Sequence, residues 1–107
     1  MAREEQERTA PWADLSDVDR IIHEPARLTL MTILYAVQSA DFLYLLKESG
    51  LTKGNLSAHL SKLEEAGYIE ITKSFNGKVP HTDCQLTESG RKAFDAYVQQ
   101  MRGALGG

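Results

Sequence analysis

The 107-residue chain is short of several residue types and patterns, and each shortage excludes something. A single cysteine, Cys84, excludes a disulfide framework and any zinc module built on cysteine pairs. Wholly apolar runs extend only a few residues, which excludes a transmembrane helix, and the charged N-terminus is not a signal peptide. The expectation is therefore a cytoplasmic protein with no membrane partner. There is no Gly-rich phosphate loop, no local Ser-His-Asp or Cys-His signature, and no obviously paired carboxylates. An enzyme has little to stand on, and nothing calls for a cofactor. His23, His81 and Cys84 lack ligand-like spacing, so no metal site is expected either. Positive charge is also scarce: 12 Lys and Arg stand against 15 Asp and Glu, a net charge of −3. Taken at face value, that balance disfavours nucleic acid.

What is present is 42% apolar and 25% charged, ordinary for a folded chain. This length fits one domain that buries about 60–70% of its unfolded surface. Residues 1–14 carry several charges and no apolar period, and are expected to form a flexible acidic tail. The folded domain is placed at 15–102, with 103–107 as a second flexible tail.

Local signals divide that domain. Ser16 is a good helix start, and Leu15, Val18, Ile21 and Ile22 recur at helical spacing up to Glu24. Pro25 suits the first turn of a new helix, which continues from about Ala26 to Gln38 and is apolar around most of its girth. Ser39 to Phe42 is a break long enough for a residue or two of strand. A short helix, Leu43 to Ser49, ends at Gly50. Thr52 then caps the clearest helix of the chain, Lys53 to Ala66. The period switches at Tyr68 to Phe75, which is β-branched and aromatic and reads as a strand. Asn76-Gly77 signals a tight hairpin, with a return strand from about His81 to Leu86 and Pro80 at its margin. Thr87 caps a last helix bearing Ala93, Phe94, Tyr97, Val98 and Met101 on one face.

A helix-turn-helix followed directly by a two-stranded hairpin is the winged-helix arrangement: mainly α with a small β-hairpin or sheet, an α+β fold. The stretch LTKGNLSAHLSKLEEAGYI, Leu51 to Ile69, resembles the recognition-helix signature of MarR/ArsR-like winged-helix transcriptional regulators. It is most similar to their small stand-alone branch, in which the winged helix is the whole protein. The segment KSFNGKVPHTDCQLTESGR, Lys73 to Arg91, resembles the wing and following helix of the same branch. The likeness spans about Val18 to Met101. Two departures accompany it: this wing holds fewer Lys and Arg than is common there, and Cys84 occupies a position where an aromatic residue is usual.

On a helical wheel, Leu56, Leu60 and Leu63 fall on one face of the Lys53–Ala66 helix. The opposite face shows Gly54, Asn55, Ala58, Ser61 and Lys62, with Ser57 and His59 on the flanks. A helix entering a major groove needs this profile: short side chains for close approach, amides and hydroxyls for base edges, and Lys for phosphate. Asn55 has the chemistry for a bidentate contact to adenine. Thr52, Lys53 and the free amides of the first turn suit a backbone phosphate. Gly54 costs about 1 kcal/mol of helix stability relative to Ala, and close backbone approach explains it better than packing. Lys73, Asn76, Gly77, Lys78 and His81 are the corresponding candidates on the wing. Blander readings exist: His59 as a half-buried flank residue, Lys62 as solvated surface, Cys84 as a small apolar plug on the inner face of its strand.

Placing the charges reverses most of the objection to nucleic acid. Residues 1–19 carry two positive and six negative charges, leaving the remainder near neutral. From Ser49 to Leu63, and again from Ile71 to Thr82, there is no carboxylate, and each stretch carries two Lys. Four lysines are few for a monomer on DNA, which suggests a dimer. Trp12, Leu15, Val18 and Ile22 at one end, with Phe94, Tyr97, Val98 and Met101 at the other, are the candidate homodimer interface, and the family resemblance implies the same. The expected function is a homodimeric, sequence-specific regulator of double-stranded DNA, with repression as its expected mode. The competing class is a winged-helix protein–protein adaptor, which would show apolar anchors on the recognition face.

Overall fold

Each helix begins on a side chain that satisfies one of its orphan amides. Glu24 accepts from Arg27 N at 2.8 Å, Asp41 from Tyr44 N at 2.7 Å, Thr52 from Asn55 N at 3.2 Å, and Thr87 from Gly90 N at 2.9 Å. The computed structural model describes residues 15–106. Its elements are α1 (Pro25–Val37), β1 (Ser39–Asp41), α2 (Phe42–Ser49), α3 (Lys53–Glu65), β2 (Ile69–Asn76), β3 (Val79–Leu86) and α4 (Glu88–Leu105). The winged-helix order expected from the sequence is therefore present, with the short break after α1 supplying the third strand.

The sheet is antiparallel in the order β1-β3-β2. Ser39 faces Gln85 and Asp41 faces Asp83 on one side of β3, while Ile69 faces Leu86 and Asn76 faces Val79 on the other. The hairpin loop is Gly77-Lys78, one residue later than the Asn76-Gly77 signal places it. Gly77 has φ +69°, the value a two-residue loop with Gly at its first central position requires. Pro80 lies inside β3 rather than at its margin. The closing pair Asn76–Val79 is the hydrogen-bonded kind, so the next pair, Phe75–Pro80, is not, and no ladder bond to β2 is lost. β1 stops at the Asp83 position and does not reach Pro80.

The core lies between the four helices and the sheet. Ile22, Leu30, Met31, Leu34, Leu45, Leu56, Leu63, Cys84 and Leu86 are fully buried, with Leu60, Ile69, Phe94 and Tyr97 nearly so. Among the described residues no polar or charged side chain is buried. Cys84 is the apolar plug anticipated from its place on the strand. Burial, with lesser effects from Asp83, Glu64 and Asp41, pushes its thiol up to about 11.

Three expectations are corrected here. The helix expected from Ser16 to Glu24 is a single 3₁₀ turn at residues 15–17 followed by irregular turns. Asp19 is the reason: its Oδ1 accepts from Ile21 N at 2.8 Å and Ile22 N at 3.1 Å, a local arrangement that competes with helix. Next, Val18, Ile22, Phe94 and Tyr97 are not available to a second copy, because all four are buried in this chain's own core. The apolar spacing that suggested an interface instead closes the domain. Finally, α4 runs on to Leu105 with Gly106 as its cap, beyond the boundary placed at 102. Trp12 and the segment 1–14 lie outside the described residues.

Two joints hold these pieces in position. Gln38, at φ +74°, ends α1; its backbone carbonyl accepts from Leu86 N at 2.9 Å and its side-chain Nε2 donates to Leu86 O at 3.2 Å. Its Oε1 accepts from Arg91, whose guanidinium also lies 4.6 Å from the centre of the Tyr35 ring. The second joint lies at the start of α4, where buried Gly90 is packed directly on the Tyr68 carbonyl and the Leu86 side chain.

Candidate nucleic-acid interface

The helix α3 divides as its wheel predicts. Leu56, Leu60 and Leu63 are buried, while Lys53, Gly54, Asn55, Ser57, Ala58, Ser61 and Lys62 are exposed. A methyl group added at Gly54 would meet nothing within 4 Å, so packing within the chain does not require glycine there. At the start of the helix the Thr52 hydroxyl and carbonyl occupy the amides of Asn55 and Leu56. The Lys53 and Gly54 amides remain at the exposed end.

His59 is half-buried. Its Nδ1 lies 3.1 Å from Arg27 Nη1 and 3.8 Å from Glu24 Oε1, so one ring nitrogen faces the start of α1. Neither Arg27 nor Glu24 was visible as a partner in the sequence, being 32 and 35 positions away.

The hairpin places its side chains by alternation. Ile71, Lys73 and Phe75 share one face with Cys84, Thr82 and Pro80; Ser74 and Asn76 share the other with His81 and Val79. The first face meets α3. Ser57 and Ser61 from the helix and Lys73 and Thr82 from the hairpin line a crevice of about 160 Å³, floored by Leu60, Ile71 and Phe42. Candidates twelve to sixteen positions apart in the chain, Ser57 and Ser61 against Lys73, are thus brought onto one surface. Phe42 and Thr82 were not among them, since a single position in an amphipathic segment carries no sign of which crevice it borders. Lys78 and Gly77 stand at the exposed tip, away from that crevice.

His81 has a partner within the chain: its Nε2 is 3.2 Å from the Asp83 carboxylate, one strand repeat away on the same face. The positive charge of this surface rests on Lys53, Lys62, Lys73 and Lys78.

Of the proposed interface positions outside the core, Leu15 is 39% exposed and Val98 and Met101 are half-buried along α4. Among the described residues no three His, Cys, Asp or Glu side chains converge as metal ligands. None of their helices is long and apolar enough to cross a membrane.

A capped helix-turn-helix, a three-stranded sheet and a protruding two-residue hairpin define a winged helix-turn-helix protein. The chain belongs to the winged helix DNA-binding domain family, whose model matches residues 26–105. It is 37% identical over 83 residues to an uncharacterized protein of Methanocaldococcus jannaschii, covering 77% of this chain and 89% of that one. A transcriptional regulator homologue from Pyrococcus horikoshii superposes with a TM-score of 0.82 at 25% identity, covering 87% of this chain and 94% of that chain. A MarR-family transcriptional regulator from Silicibacter pomeroyi shares the fold, with a TM-score of 0.63 at 17% identity over 95% of this chain and 66% of that chain. The family match thus makes the chain a winged helix DNA-binding domain, and its fold is the one these transcriptional regulators use.

Proposed function

We propose that the protein is a sequence-specific, double-stranded DNA-binding regulator that acts as a homodimer on an inverted repeat. The observation that carries this reading is the composition of the exposed α3 face. From Lys53 to Lys62 it is small, polar and free of carboxylates, Glu64 and Glu65 entering only in the last turn, and it adjoins the Lys73-bearing face of the hairpin across one shallow crevice.

In this reading α3 enters the major groove, where Gly54 and Ala58 permit close approach and Asn55 and Ser61 meet base edges. Thr52, Lys53, Ser57 and Lys62 hold phosphates, and His59 adds a donor at the helix flank. The hairpin follows the backbone beside that groove through Lys73, Lys78 and Asn76, with Gly77 keeping the tip narrow and His81 a minor contributor. Leu15, Val98, Met101 and the 73%-exposed Leu105 supply apolar surface for a second copy. Two-fold symmetry then places half-sites about 34 Å apart, or a multiple of that. Repression, by occupation of the operator, is the output proposed.

The test is a gel shift with random-sequence duplex at low salt, followed by selection of bound duplexes from a random pool. A shift at micromolar protein and recovery of an inverted repeat are expected. No shift would overturn the reading and leave a protein–protein adaptor in its place.

A further inference from the structure

Near the tip of the hairpin Phe75 is 73% exposed, and Val79, 64% exposed, stands on the opposite face. Phe75 lies four residues beyond Ile71, the last position of β2 that packs on the core, a distance of about 13 Å along the strand. From there it cannot reach the domain's interior. Its cross-strand partner is Pro80, in a non-hydrogen-bonded pair, the closer of the two pair types. An aromatic ring beside a proline ring, next to a two-residue loop, is a stiff apolar point with little side-chain freedom to lose on contact.

The surroundings of this point indicate what it touches. Lys73 lies on the same face two residues earlier, Lys78 is in the loop, and no carboxylate occurs from Ile71 to Thr82. Positive charge without any negative charge, around an apolar tip, complements a polyanion whose interior is apolar. Duplex DNA is such a partner, with phosphates along the groove edges and stacked bases between them.

We infer that Phe75 is a wedge that enters the minor groove beside the α3 site and partly unstacks one base step. Pro80 backs the ring, and Lys73 and Lys78 hold the flanking phosphates. The inference rests on the DNA-binding reading above and adds a specificity determinant that makes no hydrogen bond. Unstacking costs least at pyrimidine–purine steps, so the operator carries a TA or CA/TG step at a fixed distance from the bases read by α3.

The experiment uses the full chain and a duplex recovered from the random pool by the wild-type protein. Wild type is expected to bend this duplex in a circular-permutation gel and to make a thymine at the flanking step reactive to permanganate. Phe75→Ala is expected to bind roughly tenfold more weakly, with the bend reduced, the reactive thymine lost and the salt slope unchanged. Phe75→Trp should retain all three properties. The exposure of Phe75 means that these variants fold, which circular dichroism checks. Equal affinity and bending for Phe75→Ala would overturn the wedge. So would a change in the sedimentation of the free protein with DNA bending intact, which would make the tip a contact between copies. If wild type shifts no duplex, the DNA-binding reading itself fails, and the wedge with it.

Discussion

Arg27 on α1 and His59 on α3 meet at 3.1 Å, and the same Arg27 donates from Nε to the Ile21 carbonyl at 2.5 Å. With the guanidinium donating, His59 Nδ1 accepts, and the ring carries its proton on Nε2. One side chain therefore fixes the recognition helix to α1 and to the irregular entry segment together. His59→Ala is expected to cost about 1 kcal/mol of stability in urea unfolding. It should weaken binding to all duplexes alike, because what is lost is the seating of α3 and a phosphate donor. A loss confined to one base position would make His59 a readout residue instead.

Asn55 presents the opposite case. Its backbone amide is used by Thr52, while the residue itself is exposed on the outer face of α3. Asn55→Ala should leave stability nearly unchanged and cost about 1–3 kcal/mol on the selected site, relaxing preference at one base pair per half-site. Competition binding against single-position variants of that site measures it. Equal losses on every sequence would make Asn55 a positioning residue.

Lys78 sits exposed in the hairpin loop, where its charge can meet phosphate. Replacing it by Ala should weaken specific and random duplexes together and reduce the salt slope by about one unit. An unchanged slope would remove the tip lysine from the interface.

Gly90 is constrained from the inside. A Cβ there would lie 2.8 Å from the Tyr68 carbonyl carbon and 3.0 Å from Leu86 Cδ1, with the Tyr68 oxygen nearer still. The obstruction is backbone, held by Thr87 N to Tyr68 O at 3.0 Å and Thr87 Oγ1 to Gly67 O at 2.6 Å. Ala elsewhere in a helix improves on Gly, but here overpacking outweighs propensity, and Gly90→Ala should destabilise by about 1–3 kcal/mol. Thermal unfolding beside Gly54→Ala, where a methyl meets nothing within 4 Å, separates the two effects.

How much of this was readable before the structure depends on the range of the signal. Thr52, Gly50 and the Asn76-Gly77 pair act on their own neighbours, and the limits of α2, α3 and the hairpin follow from them to within a residue or two. The leucines of α3 point inward because a wheel suffices to place them. Val18 and Ile22 show where such reasoning stops: their spacing suits a helix, yet it equally suits two anchors joined by a turn, and the Asp19 carboxylate selects the turn. Phe94 and Tyr97 form a stripe on α4, but a stripe does not say whether it faces its own core or a second copy. Contacts such as Arg27–His59 join residues far apart in the chain. His81–Asp83 becomes visible only once both are known to share a strand face.

The base of the hairpin is tied to the entry segment by Tyr68, whose hydroxyl donates to Asp19 Oδ2 at 2.5 Å. Asp19 uses its other oxygen to hold the Ile21 and Ile22 amides, so the one carboxylate shapes the entry turn and anchors Tyr68 to it. Partial burial, together with the hydrogen bond and charge of Asp19, pushes the Tyr68 phenol up to about 12. The folded chain thus holds this proton more tightly than the unfolded chain, whose tyrosine titrates near 10. Its contribution to stability is complete below pH 10 and is lost as the pH rises from 10 towards 12. Tyr68→Phe should cost about 1 kcal/mol at neutral pH, since it leaves Asp19 Oδ2 without its donor. It should also flatten the decline in stability across the alkaline window, because phenylalanine has no proton to lose. Urea unfolding of both proteins at neutral pH and at a series of alkaline pH values tests this. If the gap between them fails to narrow with rising pH, the Tyr68–Asp19 bond is not what stabilises this joint.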